Sequence, residues 1–323
     1  MKVVFIGGTG HIGTYLVPKL VRGGHQVIQI SRSQRFPYKD GAEWEKVENV
    51  VIDRDKEERN GTFGEHIASF SPDIVIDNIC FSVESAQMLA QALRGKVGHL
   101  LVTGSIWVHG YSECVPTPEH ASRRPIGEYG INKNAIEEFY LHEFRERKFP
   151  ATIIHPGHIV GYGWPCLNPQ GHFNLQAFQT IIDGEVLKIP NLGLETVHHV
   201  HAEDVAQIFE KAIQNPEKSI GEAFHVVSSQ AVTLRGYAEA VYSWFGQRPE
   251  LEFIPLANLE KHLSREDFHQ TQEHVMRSPC MSIEKARKLL GFEPHYSSLQ
   301  ACRESVESMI ALTRLRVSEQ CSK

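Results

Sequence analysis

Side chains near the middle of the sequence have the types and the spacing for proton transfer at a substrate oxygen. Tyr129 and Lys133 are four residues apart, so a helix places both on one face. A phenol with a pKa of about 10 is a poor base at neutral pH. An ammonium about 4 Å away favours the phenolate by roughly 4 kcal/mol at an effective dielectric constant of about 20, before desolvation reduces that gain. We therefore predict that Lys133 lowers the pKa of Tyr129, which can then exchange a proton with a hydroxyl or carbonyl group.

Ser105 is a third candidate for this chemistry. It follows an apolar run at residues 99–103 that predicts a buried strand, so it lies just past the carboxyl end of that strand. Its hydroxyl can hydrogen-bond the reacting oxygen and stabilise charge that develops there. Because a tyrosine and a lysine at this spacing are frequent by chance, the alternative is a surface tyrosine near a lysine. We predict that Ser105, Tyr129 and Lys133 are the catalytic residues.

The amino-terminal residues predict a strand, a glycine-rich turn and a helix, in that order. Pro18 counts against a regular helix. In this arrangement Gly7 permits the tight turn, Gly10 lets the backbone approach a pyrophosphate, and Gly13 lets the helix pack closely. The helix amino terminus attracts the anion. A tight turn without a ligand is the alternative, but the strand–turn–helix order predicts that a dinucleotide is bound by Gly7, Thr9, Gly10, His11, Ile12 and Gly13.

The end of the second predicted strand indicates which dinucleotide binds. Arg32 follows that strand, with a serine on either side. A protein that binds NAD usually has an acidic residue here, which accepts hydrogen bonds from the ribose hydroxyls. The Arg32 guanidinium can instead pair with a 2′-phosphate. We therefore favour NADP over NAD as the cofactor, with a solvated loop arginine as the alternative.

Strands and helices alternate through the first half of the chain. This alternation indicates βαβ units and an α/β fold, a doubly wound parallel sheet with helices on both faces. We predict a dinucleotide-binding domain at residues 1–160. Residues 161–323 are expected to form mainly a smaller substrate-binding lobe over the carboxyl edge of the sheet, with some segments returning to the first domain. The predicted strands lie at residues 2–6, 26–30, 49–52, 74–76, 99–103 and 152–154, and helices are predicted at 82–94, 131–147 and 202–215.

Composition limits the class of protein. A net charge of −6 argues against a general nucleic-acid binder. The sequence lacks the run of about 18 apolar residues that a membrane-spanning helix needs, and the amino terminus leaves no room for a signal peptide before the first strand. We expect a cytoplasmic protein without a membrane or nucleic-acid partner and without a metal site. Its cysteines form no CxxC pair and are expected to be free thiols: Cys80, Cys114, Cys166, Cys280, Cys302 and Cys321.

The spacing of Gly7, Gly10 and Gly13 resembles the GxxGxxG loop of the extended short-chain dehydrogenase/reductase superfamily, which includes NAD-dependent epimerases and dehydratases. Further segments are similar to patterns of that superfamily, and the resemblance covers nearly the whole chain. It implies a Rossmann-type fold. The similar segments are Thr-Gly-Ser-Ile-Trp-Val-His-Gly at 103–110, His-Pro-Gly-His-Ile-Val-Gly at 155–161, Val-His-Ala-Glu-Asp-Val-Ala at 200–206 and a carboxy-terminal element at 282–294.

The resemblance implies roles for additional residues. Asp53 would hold the adenine amino group, with a helix cap or turn as the alternative. Asn78 would line the cofactor, Lys133 would also hydrogen-bond the nicotinamide ribose, and Pro156 and His158 would border the nicotinamide. Relatives often pair through the two long helices beside the active site, which implies a homodimer. The chain departs from the family pattern at His109, His155 and His158, where tyrosine, arginine and asparagine are common.

The region expected to contact substrate resembles the family less closely. Sugar-nucleotide epimerases and dehydratases usually have an arginine just before residues 200–206, whereas Glu-Thr-Val-His-His occupies 195–199 here. This weakens the case for a nucleotide-diphosphate substrate. Trp164 can stack on a sugar ring and Asn174 can bond hydroxyls, with loop packing as the alternative. We predict substrate contacts for Trp107, Trp164 and Asn174, and a structural or substrate-facing role rather than metal binding for His198, His199 and His201.

Two classes of function follow from these features. The first is an NAD(P)-dependent oxidoreductase or epimerase that acts on a hydroxyl or carbonyl group of a sugar or sugar-like substrate. The second is a non-catalytic protein on the same fold, either a dinucleotide-sensing regulator or an RNA-binding protein such as the chloroplast stem-loop binding proteins. Such regulators often lack the tyrosine and the lysine, and RNA binding calls for a basic patch. Tyr129, Lys133 and the acidic net charge therefore favour the enzyme.

Overall fold

The alternation of strands and helices predicted for the first half of the chain is present in the computed structural model, which describes residues 1–33 and 36–317. The predicted strands are all found, with ends shifted by at most two residues. In this half the strands are β1 (Lys2–Ile6), β2 (Gln26–Ser31), β3 (Glu48–Val51), β4 (Ile74–Asp77), β5 (His99–Thr103) and β6 (Ala151–Pro156). The helices are α1 (His11–Arg22), α2 (Arg54–Arg59), α3 (Phe63–Ser69), α4 (Val83–Leu93) and α5 (Gly127–Arg147), with 3₁₀ turns at Ala42–Lys46 and Ile106–His109.

The second half contains shorter strands, of two to four residues. Its strands are β7 (His158–Val160), β8 (Leu187–Pro190), β9 (Thr196–Val197), β10 (His199–His201), β11 (Ala223–Val226), β12 (Val232–Thr233) and β13 (Leu251–Ile254). Its helices are α6 (Gln176–Ile182), α7 (Ala202–Gln214), α8 (Pro216–Ser219), α9 (Leu234–Trp244), α10 (Leu256–Leu259), α11 (Arg265–Arg277), α12 (Glu284–Leu290) and α13 (Ser298–Ala311).

A parallel sheet of seven strands forms the centre of the molecule, in the order β11-β6-β5-β4-β1-β2-β3. From β1 the chain continues outwards to β2 and β3, and from β4 it continues outwards in the opposite direction to β5 and β6. This change of direction between β1 and β4 leaves a crevice at the carboxyl ends of the two strands. Leu16 of α1 and Phe209 of α7 pack on one face, whereas Leu89 of α4 and Tyr140 of α5 pack on the other. The prediction of a doubly wound parallel sheet is confirmed.

The helix predicted after the glycine-rich turn is α1. It begins at His11, with Gly10 at the N-cap position. It also continues through Pro18 to Arg22, so Pro18, which counts against a regular helix, does not interrupt it. Ile12, Leu16 and Leu20 are buried along the helix face that packs on the sheet.

Residues after β6 contribute both to the central sheet and to a separate apolar cluster. Strand β11 pairs with β6 at one edge of the central sheet. A third cluster, which includes Phe178, Tyr237 and Met309, is built from residues that follow β6. The helices within residues 1–33 and 36–317 are all too short or too polar to span a membrane.

Candidate active site

A cavity of about 630 Å³ lies at the carboxyl ends of β1, β4, β5 and β6. Each of these strands is followed by residues that line the cavity, and α5 supplies its opposite wall. Most of the residues predicted from the sequence for catalysis or cofactor binding meet here. They are Gly7, Gly10, His11, Ile12, Asn78, Ser105, Tyr129, Lys133 and Pro156, together with the predicted substrate residue Trp164.

The glycine loop has the geometry that its spacing predicts. Gly7 has φ +84°, a conformation that side chains disfavour. A Cβ atom on Gly13 would lie 1.8 Å from the Gly8 carbonyl oxygen, so only glycine lets α1 approach the loop this closely. At Gly10 a Cβ atom would meet only the Gly7 oxygen, at 3.4 Å, and would otherwise point into open space. The loop is thus a cradle beside the first N–H groups of α1, which lack intrahelical acceptors and suit a phosphate group.

Lys133 is the buried cation of the site. Its Nζ donates hydrogen bonds to the carbonyl oxygens of Cys80, at 2.8 Å, and Thr103, at 2.7 Å. Desolvation by burial lowers the pKa of Lys133 to about 8. Nζ also lies 4.8 Å from the centroid of the Phe81 ring. The lysine is therefore oriented by the backbone after β4 and at the end of β5, and its ammonium is less stable than that of an exposed lysine.

Tyr129 lies one helical turn before Lys133 on α5, but its pKa does not follow the prediction. Its side chain is 43% exposed, yet burial around the hydroxyl raises its pKa, and hydrogen bonding with the Ser105 side chain only opposes this rise. Lys133 Nζ lies 5.7 Å from the centroid of the tyrosine ring and donates instead to backbone carbonyls. The prediction that Lys133 lowers the pKa of Tyr129 is wrong for this structure.

Ser105 is positioned by backbone contacts after β5. Its Oγ accepts a hydrogen bond from the Trp107 N–H at 3.2 Å and so begins the 3₁₀ turn at Ile106–His109. Its own N–H donates to Nδ1 of His155, at 2.8 Å. Asn78 is also held in place, because its Oδ1 accepts a hydrogen bond from the Thr103 hydroxyl at 2.6 Å.

Other residues predicted to bind the cofactor lie outside the described lining of the cavity. Arg32 is exposed at the end of β2. Asp53 accepts a hydrogen bond from the Lys56 N–H and caps α2, which is the alternative role considered for it. The His158 ring packs 5.0 Å from the His274 ring, and its Nδ1 lies 3.3 Å from the His198 carbonyl oxygen. Thr9 and Gly13 also lie outside that lining, although Gly13 shapes the loop.

Of the predicted substrate residues, only Trp164 reaches the cavity among the described residues. Its ring stacks on the His11 ring, with centroids 3.8 Å apart and planes 7° apart, so it covers the glycine loop. Trp107 instead packs edge-on against the Tyr129 ring and lies 3.7 Å from the Arg277 guanidinium. The Asn174 Oδ1 accepts a hydrogen bond from the Gln176 N–H, and its Nδ2 donates to Asp267 of α11.

The histidines at positions 198, 199 and 201 contact polar groups inside the protein. His198 Nε2 lies 2.9 Å from the Ser228 carbonyl oxygen, and His199 Nε2 lies 3.1 Å from that of Leu167. His201 Nε2 lies 2.5 Å from the Glu304 carboxylate. Within the described part of the chain, no three His, Cys, Asp or Glu side chains gather as metal ligands.

Sequence reasoning missed several residues of the site. Phe81 and Phe173 bring aromatic rings to the cavity, and Gly157 and Ile159 form part of its wall after β6. Single apolar residues in loops carry no periodic signal, so their position depends on packing. Gly104 directly precedes Ser105, which is a signal that the sequence itself offers. A Cβ atom at this position would lie 2.3 Å from His155 Nδ1, so glycine is needed here.

Comparison with known proteins shows what this site and its fold are similar to. The model of the NAD dependent epimerase/dehydratase family matches residues 81–226, a range that contains Ser105, Tyr129 and Lys133. A UDP-glucose 4-epimerase from Thermotoga maritima has a similar fold, with a TM-score of 0.72 at 20% identity, over 97% of this chain and 100% of that one.

Characterised relatives differ in what their names describe. A chloroplast stem-loop binding protein of 41 kDa from Arabidopsis thaliana is 24% identical over 94% of this chain and 78% of its own. A 2′-dehydrokanamycin reductase from Streptomyces kanamyceticus is 24% identical over 76% of this chain and 67% of its own length. A UDP-glucose 4-epimerase from Mycolicibacterium smegmatis is 25% identical over 95% of this chain and 98% of its own length. The NAD dependent epimerase/dehydratase family model thus matches residues 81–226 of this chain, and the fold of the chain is similar to that of a solved epimerase.

Proposed function

We propose that the protein is an NAD(P)-dependent oxidoreductase or epimerase that acts on a hydroxyl or carbonyl group of a sugar or sugar-like substrate, with Tyr129 as the proton-transfer residue. The observation that carries this proposal is that Ser105, Tyr129 and Lys133 line the same cavity as the glycine loop. A regulator that only senses a dinucleotide has no need for the three side chains. Their presence beside a phosphate cradle supports catalysis.

The protonation states at neutral pH favour one direction of proton transfer. Burial raises the pKa of Tyr129, so its hydroxyl carries a proton and can donate it to a carbonyl oxygen. Ser105 can hydrogen-bond the same oxygen. A nicotinamide bound in the cavity would supply the hydride for this reduction, or accept one in the reverse reaction. Lys133, with a pKa of about 8, is mostly protonated at neutral pH and adds positive charge next to Tyr129.

The residues present fit a dinucleotide. The open space at Gly10 and the N–H groups at the start of α1 suit the pyrophosphate. Lys133 uses two of its three N–H donors on backbone carbonyls, which leaves one for a ribose hydroxyl. We favour NADP, because the exposed Arg32 follows β2 where NAD-binding proteins usually have an acid.

The decisive experiment is a screen for turnover with both cofactors. Purified protein is mixed with NADPH or NADH and a panel of keto sugars, and with NADP or NAD and the corresponding alcohols, while the absorbance of the reduced nicotinamide is recorded. Sugar products are analysed in parallel, because an epimerase regenerates its cofactor. The proposal predicts turnover that is lost in Tyr129→Phe. Equal turnover in that variant contradicts it.

RNA binding is the second candidate, because one relative is named a stem-loop binding protein. The net charge of −6 opposes this function, since RNA contacts require clustered basic side chains. Filter binding of a stem-loop RNA at increasing salt tests it. Affinity that falls steeply with salt, in a protein without turnover of either cofactor, would replace the enzyme proposal.

We also propose a homodimer that pairs through α4 and α5. Ile131 supports this arrangement, because it is 53% exposed on α5 although it is a large apolar residue. Light scattering measures the mass directly. Ile131→Glu is expected to shift a dimer towards the monomer, because it places a charge in the interface.

A further inference from the structure

His155 makes a direct contact with the candidate catalytic serine. The imidazole is fully buried in β6, and its Nδ1 accepts the hydrogen bond from the Ser105 N–H at 2.8 Å. Gly104 makes this approach possible, because a Cβ atom there would lie 2.3 Å from Nδ1. The family pattern commonly has arginine at this position, so the contact is a feature of this chain's own sequence.

The direction of this hydrogen bond determines where the imidazole carries its proton. An Nδ1 atom that accepts a hydrogen bond has no hydrogen of its own, so a neutral ring must carry its hydrogen on Nε2. Nε2 lies 3.3 Å from Oε2 of Glu137. The pair is within ion-pair distance but is not aligned as a hydrogen bond, and Nε2 has no other hydrogen-bond partner in the described residues.

Glu137 lies on the α5 face that also carries Tyr129 and Lys133, since the three residues are spaced by four. Its carboxylate is buried and receives two hydrogen bonds from Arg123, at 2.5 and 3.1 Å. Burial opposes ionisation, but the contacts with His155 and Arg123 outweigh it and hold the pKa of Glu137 well below its usual value. A carboxylate facing Nε2 favours the hydrogen on that atom.

Arg123 extends this cluster to a second departure from the family pattern. One of its Nη atoms lies 3.0 Å from Nε2 of His109, which stands where the family commonly has tyrosine. His109 Nε2 in turn lies 2.8 Å from Nε2 of His225. The Arg123 guanidinium, which is partly buried, thus contacts His109 directly and is linked to His155 through Glu137. Arg123 also donates to the carbonyl oxygens of Glu119 and Ala121, which orients it toward Glu137.

We propose that His155 is a positioning residue for Ser105 and that Glu137 holds its imidazole in the Nε2–H tautomer. This inference rests on the proposed function. In this arrangement Glu137 orients the ring, the ring orients the Ser105 backbone, and the backbone directs the serine hydroxyl towards Tyr129. The opposite tautomer would turn an N–H of His155 against the N–H of Ser105, and the contact would be lost.

Nuclear magnetic resonance tests the tautomer without any substrate. Long-range ¹H–¹⁵N correlations of the histidine rings are recorded on the full chain and assigned to His155 by their loss in His155→Asn. The proposal predicts hydrogen on Nε2 only, and slow exchange of the Ser105 amide. Hydrogen on Nδ1 overturns it. Because this readout needs no turnover, its failure is distinct from failure of the proposed function.

Two variants separate the two sides of the ring. The Oδ1 atom of asparagine occupies the position of Nδ1, so His155→Asn keeps an acceptor for the Ser105 N–H and loses the contact with Glu137. Glutamine places its amide at the position of Nε2, so His155→Gln keeps the contact with Glu137 and loses the acceptor. We expect kcat to fall about tenfold in His155→Gln, with little change in the KM for cofactor, and far less in His155→Asn.

A matched control removes a buried histidine elsewhere in the sheet. His99 lies in the neighbouring strand β5, where its Nε2 lies 2.8 Å from the Thr152 hydroxyl. His99→Asn is expected to lower stability while kcat is preserved. If His155→Asn loses as much kcat as His155→Gln, or if His99→Asn loses as much as either, the contact with Ser105 is not specific and the proposal fails.

Discussion

Lys133 lies on the same face of α5 as Tyr129, but its Nζ is 5.7 Å from the centre of the tyrosine ring and donates to two backbone carbonyls. Burial lowers the pKa of Lys133 to about 8 and raises the pKa of Tyr129. As pH rises, the ammonium therefore loses its proton before the phenol does. A tyrosine acidified by a neighbouring cation would instead lose its proton while the lysine is still charged.

Stability should increase with pH where Lys133 is deprotonated only in the folded protein. The folded pKa is about 8 and the reference value is 10.5, so the unfolded chain binds more protons between these values. Below about pH 8 both states are charged and the cost of burying the ammonium is fully present. The free energy of unfolding should therefore rise by about 2 kcal/mol between about pH 8 and about pH 10, towards a total of about 3 kcal/mol above pH 10.5.

Urea unfolding across this range measures the effect. The matched control is Lys133→Met, which removes the titrating group but keeps an unbranched side chain of similar length. The contribution of Lys133 is the difference between the two pH profiles. Parallel profiles for the two proteins would show that the lysine is not desolvated in the folded state.

Tyr129→Phe should remove turnover while the fold is retained. The hydroxyl is the proposed proton donor, so kcat/KM should fall by about 10²-fold to 10⁴-fold. Stability should change little, because the tyrosine side chain is 43% exposed. Steady-state kinetics and thermal unfolding report the two effects separately. Tyr111→Phe, at another exposed tyrosine, is the control and should leave both unchanged.

Alanine at the two glycines of the loop should have different consequences. In Gly13→Ala the Cβ atom would overlap the Gly8 carbonyl oxygen, so stability should fall by about 1–3 kcal/mol or more. In Gly10→Ala the Cβ atom would meet only the Gly7 oxygen, at 3.4 Å, and would fill the phosphate cradle. That variant should fold normally but bind cofactor at least about tenfold more weakly.

Thermal unfolding and titration of nucleotide fluorescence distinguish these outcomes. Gly24→Ala serves as a control for backbone strain alone, because Gly24 has φ +78° and open space around it, away from the cradle. It should lower stability modestly and leave cofactor affinity unchanged. Unchanged affinity in Gly10→Ala would show that the phosphate does not lie against this glycine.

Arg32→Ala should weaken binding of NADP and leave binding of NAD unchanged. A charge-assisted contact with a 2′-phosphate contributes about 1.5–3 kcal/mol, so the KM for NADP should rise at least about tenfold. Arg248→Ala removes an exposed arginine from the loop between α9 and β13 and is the control for net charge. If the KM for NADP does not change, cofactor choice does not depend on Arg32.

Much of the site could be predicted from the sequence because its determinants are local. The spacing of Gly7, Gly10 and Gly13 sets a turn, and the spacing of Tyr129 and Lys133 sets a helix face. Parallel strands all end at one edge, which brings the residues after β1, β4 and β5 together without further information. The doubly wound sheet and the shared cavity followed from these patterns.

Tertiary structure decided what those side chains contact and how strongly they hold a proton. Lys133 donates to carbonyls after β4 and at the end of β5, Asn174 donates to Asp267 of α11, and Trp164 stacks on His11. The contact of His155 with Ser105 joins residues fifty positions apart. Burial and long-range partners set pKa values and side-chain directions, and spacing along the chain encodes neither. The sequence by itself thus determined that the glycine loop, Ser105, Tyr129 and Lys133 share the cavity, whereas only packing decided that Tyr129 retains its proton more firmly than Lys133.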